Sequence, residues 1–190
     1  MGFFERSDMP RPDAFPLLGV RHILLLLLLT GCITAGLLLI RRLKPSQAQH
    51  VLHGAAILVP LLELSHSVWL YLTGTTSLIK LLPLHLCGLQ SLFIPLAVFT
   101  KFTCFRDFVY ATSLLGGIFG TVMPAGVADY YPLLSFQTLQ TFALHGLLIF
   151  VPLAMILCGQ HRPSIQRFPR VLCIFLLAAF VVGMVDQMYG

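Results

Sequence analysis

Long apolar runs, separated by short polar segments, extend through the whole chain. In a window of about 20 residues, the length that crosses the hydrocarbon core of a bilayer, these runs lie near residues 17–40, 51–73, 81–100, 108–124, 136–158 and 171–187. The connections carry Pro, Gly, Ser and charges and are too short for a soluble domain. The pattern predicts an all-α membrane protein, a single domain over residues 1–190 with one bundle of about six transmembrane helices.

Composition supports lipid as the solvent of this bundle. Hydrophobic residues make up 57% of the chain and charged residues only 10%, a balance that a water-soluble domain does not carry. The net charge of +5 is not a sign of nucleic-acid binding, because the twelve Lys and Arg lie in short clusters between apolar runs. They offer no basic and aromatic surface, so no nucleic-acid partner is expected.

The distribution of positive charge predicts the orientation of the bundle. The connections after the first, third and fifth spans hold eight Lys and Arg: Arg41, Arg42, Lys44, Lys101, Arg106, Arg162, Arg167 and Arg170. The opposite side holds four: Arg6, Arg11, Arg21 and Lys80. Since positive residues concentrate on the cytoplasmic side, both termini are predicted to lie outside.

One of the five cysteines stands apart from the others. Cys87 lies toward the outer end of the third span, where Pro83 suits a first helical turn and brings the thiol near the positive end of the helix dipole. The remaining four lie toward the predicted cytoplasmic side, where a reduced thiol acts as a small apolar filler: Cys32, Cys104, Cys158 and Cys173.

Polar side chains occur inside the spans, although an ionisable group at mid-bilayer costs at least about 2.5 kcal/mol unless it is paired or used. Glu63 and His66 form an i, i+3 pair on one helix face. Gln137, Thr141 and His145 follow one another at intervals of four and form one polar stripe. With Cys87 and Thr121, these groups are expected to line one cavity open to the outer leaflet.

Packing offers an alternative explanation for each of these features. Glu63 with His66 is typical of a hydrogen-bonded pair that joins helices, and Gly116 with Gly120 favours a close-packing face. A single buried His145 is equally typical of a packing residue. The joint presence of a thiol and an imidazole favours a site, because a thiol in apolar surroundings is inert unless a base or a positive field produces the thiolate.

Three motifs resemble the YwaF family of bacterial membrane proteins, whose animal branch is transmembrane protein 164. They are LPLHLC at 82–87, GGIFGT at 116–121 with Pro124, and FALHG at 142–146. The resemblance covers roughly residues 17–187, and the spacing of the Cys and His motifs is more specific than either motif alone. Members of the family continue into a further apolar segment, so the resemblance implies that a last helix is missing from this chain.

The resemblance implies a cysteine-dependent lipid acyltransferase in the bacterial inner membrane. Its animal relative moves acyl chains onto lysophospholipids, and its Cys and His positions match Cys87 and His145. Cys87 as thiolate would attack the ester carbonyl of a phospholipid and form a thioester. His145 would take the thiol proton and then activate the hydroxyl of the incoming lysophospholipid, or water in a hydrolase. This chemistry requires no metal or other cofactor.

Supporting roles follow from the same mechanism. His85, two residues before the nucleophile, is suited to contacting a lipid headgroup, and Glu63 to orienting a histidine. Thr121 or Gln137 would donate a hydrogen bond to the oxyanion. Thr141 belongs to the same stripe as Gln137.

Two other classes of function stay open. A metal-dependent membrane lipid hydrolase would use His66, His85, His145 and Glu63 as ligands, although their spacing matches no metal motif. A small-molecule transporter or channel would use the polar stripe as a path through the membrane. The chain is short for a transporter, which a homo-oligomer would remedy.

Overall fold

The chain folds into helices, as the computed structural model of residues 2–77, 81–82 and 84–189 shows. The described part contains six α-helices and no strand, which confirms the all-α prediction. Lys80, Pro83 and Gly190, on which parts of the sequence interpretation depend, lie outside it. The helices are α1 (Val20–Arg42), α2 (Pro45–Leu72), α3 (Leu86–Phe99), α4 (Thr103–Val122), α5 (Phe136–Leu157) and α6 (Phe168–Tyr189), with a 3-10 turn at Ile165–Arg167.

Four segments of the described part are long and apolar enough to cross a membrane: Val20–Arg42, Pro45–Leu72, Phe136–Leu157 and Ile165–Val185. The third predicted span is the clearest departure, because α3 has only 14 residues. At 1.5 Å per residue it is about 21 Å long, short of the 30 Å hydrocarbon core. It begins late because the backbone of His85 is extended, with φ −88° and ψ 155°.

Helix α5 lies at the centre of the bundle and packs against α1, α2, α3 and α4. Its contact with α4 is the closest, since a Cβ at Gly117 would lie 2.8 Å from the carbonyl oxygen of His145 and 2.7 Å from the Cγ1 of Ile149. Small residues at such positions let two backbones approach within a membrane. Helix α6 is peripheral and packs mainly on α4.

The segment 2–19 caps one end of the bundle, where α2 and α4 end and α3 and α5 begin. Phe15 is fully buried and its ring lies 6.3 Å from that of Phe142. Its backbone exchanges hydrogen bonds with the α4–α5 connection, donating to Tyr131 at 3.2 Å and accepting from Asp129 at 2.9 Å. The indole of Trp69 donates to the Phe4 carbonyl at 2.8 Å. The cap therefore joins α2, α4 and α5 at this end.

Charged side chains organise the opposite end. Arg106, counted above as a loop cation, lies in the first turn of α4 and donates to the carbonyls of Ala97, Thr100 and Gln160 at 3.0, 2.8 and 2.6 Å. The next residue, Asp107, is buried and pairs with Arg167 at 3.0 Å. These contacts tie the α3–α4 and α5–α6 connections together.

Candidate active site

A polar cavity of about 280 Å³ lies inside the capped end of the bundle. Its walls come from the second half of α2, the start of α3, the end of α4 and the first half of α5. Seven of the eight candidate side chains line it: Glu63, His66, His85, Cys87, Gln137, Thr141 and His145. The folding of the chain thus brings together groups that are separated by up to 82 residues in sequence.

The hydrogen bond of His145 fixes the state of its ring. Nδ1 lies 2.7 Å from the carbonyl oxygen of Thr141, one turn earlier in α5. A carbonyl only accepts, so Nδ1 carries the proton and the neutral ring keeps a lone pair on Nε2. The ring is therefore held in the tautomer that a general base at Nε2 requires.

Two glycines of α4 make room for the side chains of Cys87 and His145. A Cβ at Gly120 would lie 2.0 Å from Cδ2 and 2.2 Å from Nε2 of His145, inside the space that the ring occupies. A Cβ at Gly116 would lie 3.3 Å from the sulfur of Cys87. Positions four apart on a helix have Cβ atoms about 5–6 Å from each other. Cys87 and His145 therefore lie against one face of α4, a single turn apart.

Cys87 is the second residue of α3, in the first turn, where backbone amides have no acceptor within a helix. The side chain of His85 does not cap the helix, and the amide of Leu89 donates to the His85 carbonyl at 2.9 Å. The amides of the first turn, including those of Cys87 and Gly88, have no acceptor within the helix. The thiol is 3.9 Å from the Gly116 carbonyl, a weak contact.

Unpaired acceptors mark the cavity as a place for a polar ligand. Oε2 of Glu63 and Oε1 of Gln137 are buried and have no hydrogen-bond partner among the described residues. Native structures rarely leave such atoms unsatisfied without water, a ligand or a catalytic use. Both atoms accept, so a hydroxyl or another donor would complement them.

Thr121 is the one candidate that does not line the cavity. Its hydroxyl donates to the carbonyls of Gly117 and Ile118 in its own helix, at 3.0 and 2.9 Å. Its carbonyl accepts a hydrogen bond from Nε2 of His22 at 2.9 Å, and Nδ1 of that ring accepts from the amide of Leu18 at 3.0 Å. The structure therefore places Thr121 in the packing between α4 and α1, with its proton already engaged.

Sequence reasoning missed several lining residues. Gln140 is buried in the wall and its amide donates to the Leu62 carbonyl at 3.3 Å. Its position three residues after Gln137 in the polar stripe was the available signal. The loop at 123–127 also lines the cavity, and its position there depends on tertiary contacts that no local pattern encodes. The other four cysteines do not line the cavity.

The four candidate metal ligands do not form a metal site. In the described ranges, no three His, Cys, Asp or Glu side chains are grouped so that they could hold a metal ion. Glu63, His66, His85 and His145 share the cavity without forming such a group.

The fold and the cavity define a polytopic helical membrane protein with a buried polar site. The TMEM164 family matches residues 17–190, and the chain belongs to that family. This confirms the relation to transmembrane protein 164 that the motifs indicated, whereas the YwaF name remains a resemblance. No curated protein and no solved structure matches the chain.

Proposed function

We propose that the protein is a membrane-embedded acyltransferase that moves acyl chains between phospholipids through a thioester at Cys87. The observation that carries this proposal is the placement of Cys87 and His145 against Gly116 and Gly120 in one cavity. Membership of the TMEM164 family supports it. The site lies within a bundle whose solvent is lipid, so a phospholipid reaches it from the bilayer.

The first half of the reaction acylates the enzyme. Nε2 of His145 takes the Cys87 proton, and the thiolate attacks the ester carbonyl of the donor phospholipid. The carbon–oxygen ester bond then breaks, and His145 donates the proton that it took from Cys87 to the leaving glycerol oxygen. The products are a thioester on Cys87 and a lysophospholipid.

The second half reverses these roles. A hydroxyl of the accepting lysophospholipid gives its proton to His145 and attacks the thioester carbonyl. The carbon–sulfur bond breaks, Cys87 leaves as the thiolate, and the imidazolium returns the proton to it. Atoms and charges balance with no cofactor, and water as acceptor would give hydrolysis instead.

The start of α3 supplies the electrostatic part of the mechanism. The amides of Cys87 and Gly88 lie in the first turn, at the positive end of the helix, which favours both the thiolate and the oxyanion that forms beside it. This assignment replaces Thr121, whose hydroxyl is engaged in its own helix. Gln137 keeps a role as a partner of the lipid hydroxyl.

The remaining cavity groups are suited to the polar part of the lipid. Glu63 and Gln137 offer unpaired acceptors to a glycerol hydroxyl. His85 and His66 line the wall beside them and would contact the headgroup region. With the cavity end facing outward, as the Lys and Arg distribution predicts, the substrate enters from the outer leaflet of the bacterial cell membrane.

The test is acyl exchange between a labelled phospholipid and a lysophospholipid in liposomes that contain the purified protein. Cys87→Ser and His145→Ala should abolish exchange, because each removes an indispensable reacting group. Cys104→Ser is the matched control, since Cys104 is half-buried but outside the cavity. It should exchange at the wild-type rate.

Parallel arms separate the alternatives. A metal-dependent hydrolase would lose activity with chelator and tolerate Cys87→Ser. A transporter would move solute into sealed vesicles and leave the lipid composition unchanged. Full exchange by the Cys87→Ser protein would refute the thioester mechanism.

A further inference from the structure

A second, apolar cavity lies between the start of α3 and α6. It has a volume of about 500 Å³, and its two walls are the segment 84–89 and one face of α6 that includes Phe175, Ala179 and Gly183. All of its lining side chains are apolar except that of His85. We call it the α3–α6 groove.

The groove exists because α6 presents small residues toward α3. Ala178 and Ala179 lie about one turn before Gly183 on the same α6 face. A Cβ at Gly183 would meet no atom within 4 Å, so the space beside it is open. The groove volume lies in the range of ordinary ligand pockets, about 300–1,000 Å³.

The groove adjoins the polar cavity at His85. His85 lines both spaces, and the next two residues divide between them, since Leu86 faces the groove and Cys87 the polar cavity. A molecule with a polar head in the cavity and an apolar tail in the groove would therefore pass His85 close to the sulfur. That is the shape of a phospholipid whose ester lies at Cys87.

We propose that the α3–α6 groove holds the acyl chain that is transferred. The end of the groove at Phe175 limits the length of the chain that it accepts. This rests on the acyl transfer proposed above and specifies the substrate of the same site. Helix α6 is long and apolar enough to cross a membrane, and an apolar groove along a membrane-spanning helix is filled by hydrocarbon rather than by water. Lipid tails are as apolar as its walls, so shape rather than hydrophobicity selects the chain.

The helix directions orient the bound chain. Helix α6 runs toward the cap and α3 runs away from it. Gly183 therefore lies near the end of the groove beside His85, which we call its mouth. Phe175 lies about 12 Å away from Gly183 along α6, at 1.5 Å per residue. The carbonyl is expected at the mouth and the methyl end at Phe175.

The test uses exchange with donors that carry lauroyl, myristoyl, palmitoyl or stearoyl chains. Ala179→Phe shortens the groove and should lower exchange of stearoyl relative to lauroyl by at least about tenfold, as overpacking costs imply. Phe175→Ala lengthens the groove and should shift the preference toward longer chains. Gly31→Phe is the matched control, because Gly31 faces open space on α1, away from the groove. Its chain-length profile should equal that of the wild type.

A binding measurement keeps this proposal separable from the acyl transfer. A phospholipid with a photoactivatable group at the tail end should label Phe175 and Ala179 more than the outward-facing Leu176 and Leu177, even in the Cys87→Ser protein. Equal labelling of all faces of α6, or unchanged chain-length profiles in both groove variants, would overturn the groove. If the wild-type protein shows no exchange but is still labelled selectively, the acyl transfer is refuted and the groove is left as a lipid site.

Discussion

Replacing Gly120 by alanine tests the geometry of the site with a single methyl group. The added Cβ would lie 2.0 Å from Cδ2 of His145, whereas ordinary contact begins at 3.4 Å. The ring must therefore move by about 1.4 Å, the difference between these distances, or α4 must separate from α5. Separation of α4 from α5 is hindered, because the two helix backbones are closely packed at Gly117 on the adjoining face.

The expected effect on activity is large. Displacing a catalytic group by about 1 Å costs about 100-fold in rate, so Gly120→Ala should lower kcat by about that factor. Overpacking would destabilise the fold by about 1–3 kcal/mol. Gly116→Ala should have a smaller effect, because its Cβ would lie 3.3 Å from the Cys87 sulfur and needs a shift of only a few tenths of an ångström.

The assay measures acyl exchange and thermal unfolding for the same preparations. Gly31→Ala is the control, because Gly31 lies inside α1 with no atom within 4 Å of the added Cβ. It should keep its rate and gain up to about 1 kcal/mol of stability from helix propensity. A Gly120→Ala protein that exchanges acyl chains within twofold of wild type would show that the position of the His145 ring does not matter, and the site assignment would fail.

Other predictions concern the two ends of the bundle. Burial lowers the pKa of His161 despite the nearby Asp107, so the folded state resists a proton that the unfolded chain accepts near pH 6.5. Its contribution to stability is thus present above about pH 6.5 and lost below it. His161→Gln should flatten the fall in Tm between pH 7 and about pH 5, and an unchanged fall would contradict this. Arg106→Ala leaves three carbonyls without their donor and should cost about 2–3 kcal/mol in a denaturant titration; a loss below about 0.5 kcal/mol would rule out that role. His22→Ala breaks the contact between α1 and α4 and should lower Tm while Gly31→Ala does not.

The positions of the helices were predictable because apolar runs of bilayer length leave few other structures. The late start of α3 was not, since the leucines before His85 belong to the same apolar run as the helix, and hydropathy does not reveal that the backbone of His85 is extended. The consequence matters for function. It places Cys87 in the first turn, at the positive end of the helix dipole.

The candidate site was predictable in part for a similar reason. Intervals of four place Gln137, Thr141 and His145 on one helix face regardless of tertiary structure, and all three line the cavity. The role of Thr121 could not be read from sequence, because its hydroxyl turns back onto its own helix. Gly120 was interpreted as a packing residue, and only the packing of α4 on α5 reveals that it makes room for His145.

The most direct test of the thioester mechanism is the mass of the protein after one turnover. Wild-type protein mixed with a phospholipid donor, in the absence of a lysophospholipid, should gain the mass of one acyl group on a peptide containing Cys87. Hydroxylamine should remove it, and added lysophospholipid should accept it. Cys87→Ser should gain nothing. Acyl transfer that proceeds with Cys87 unmodified, or with the acyl group on Cys104 instead, would contradict the mechanism.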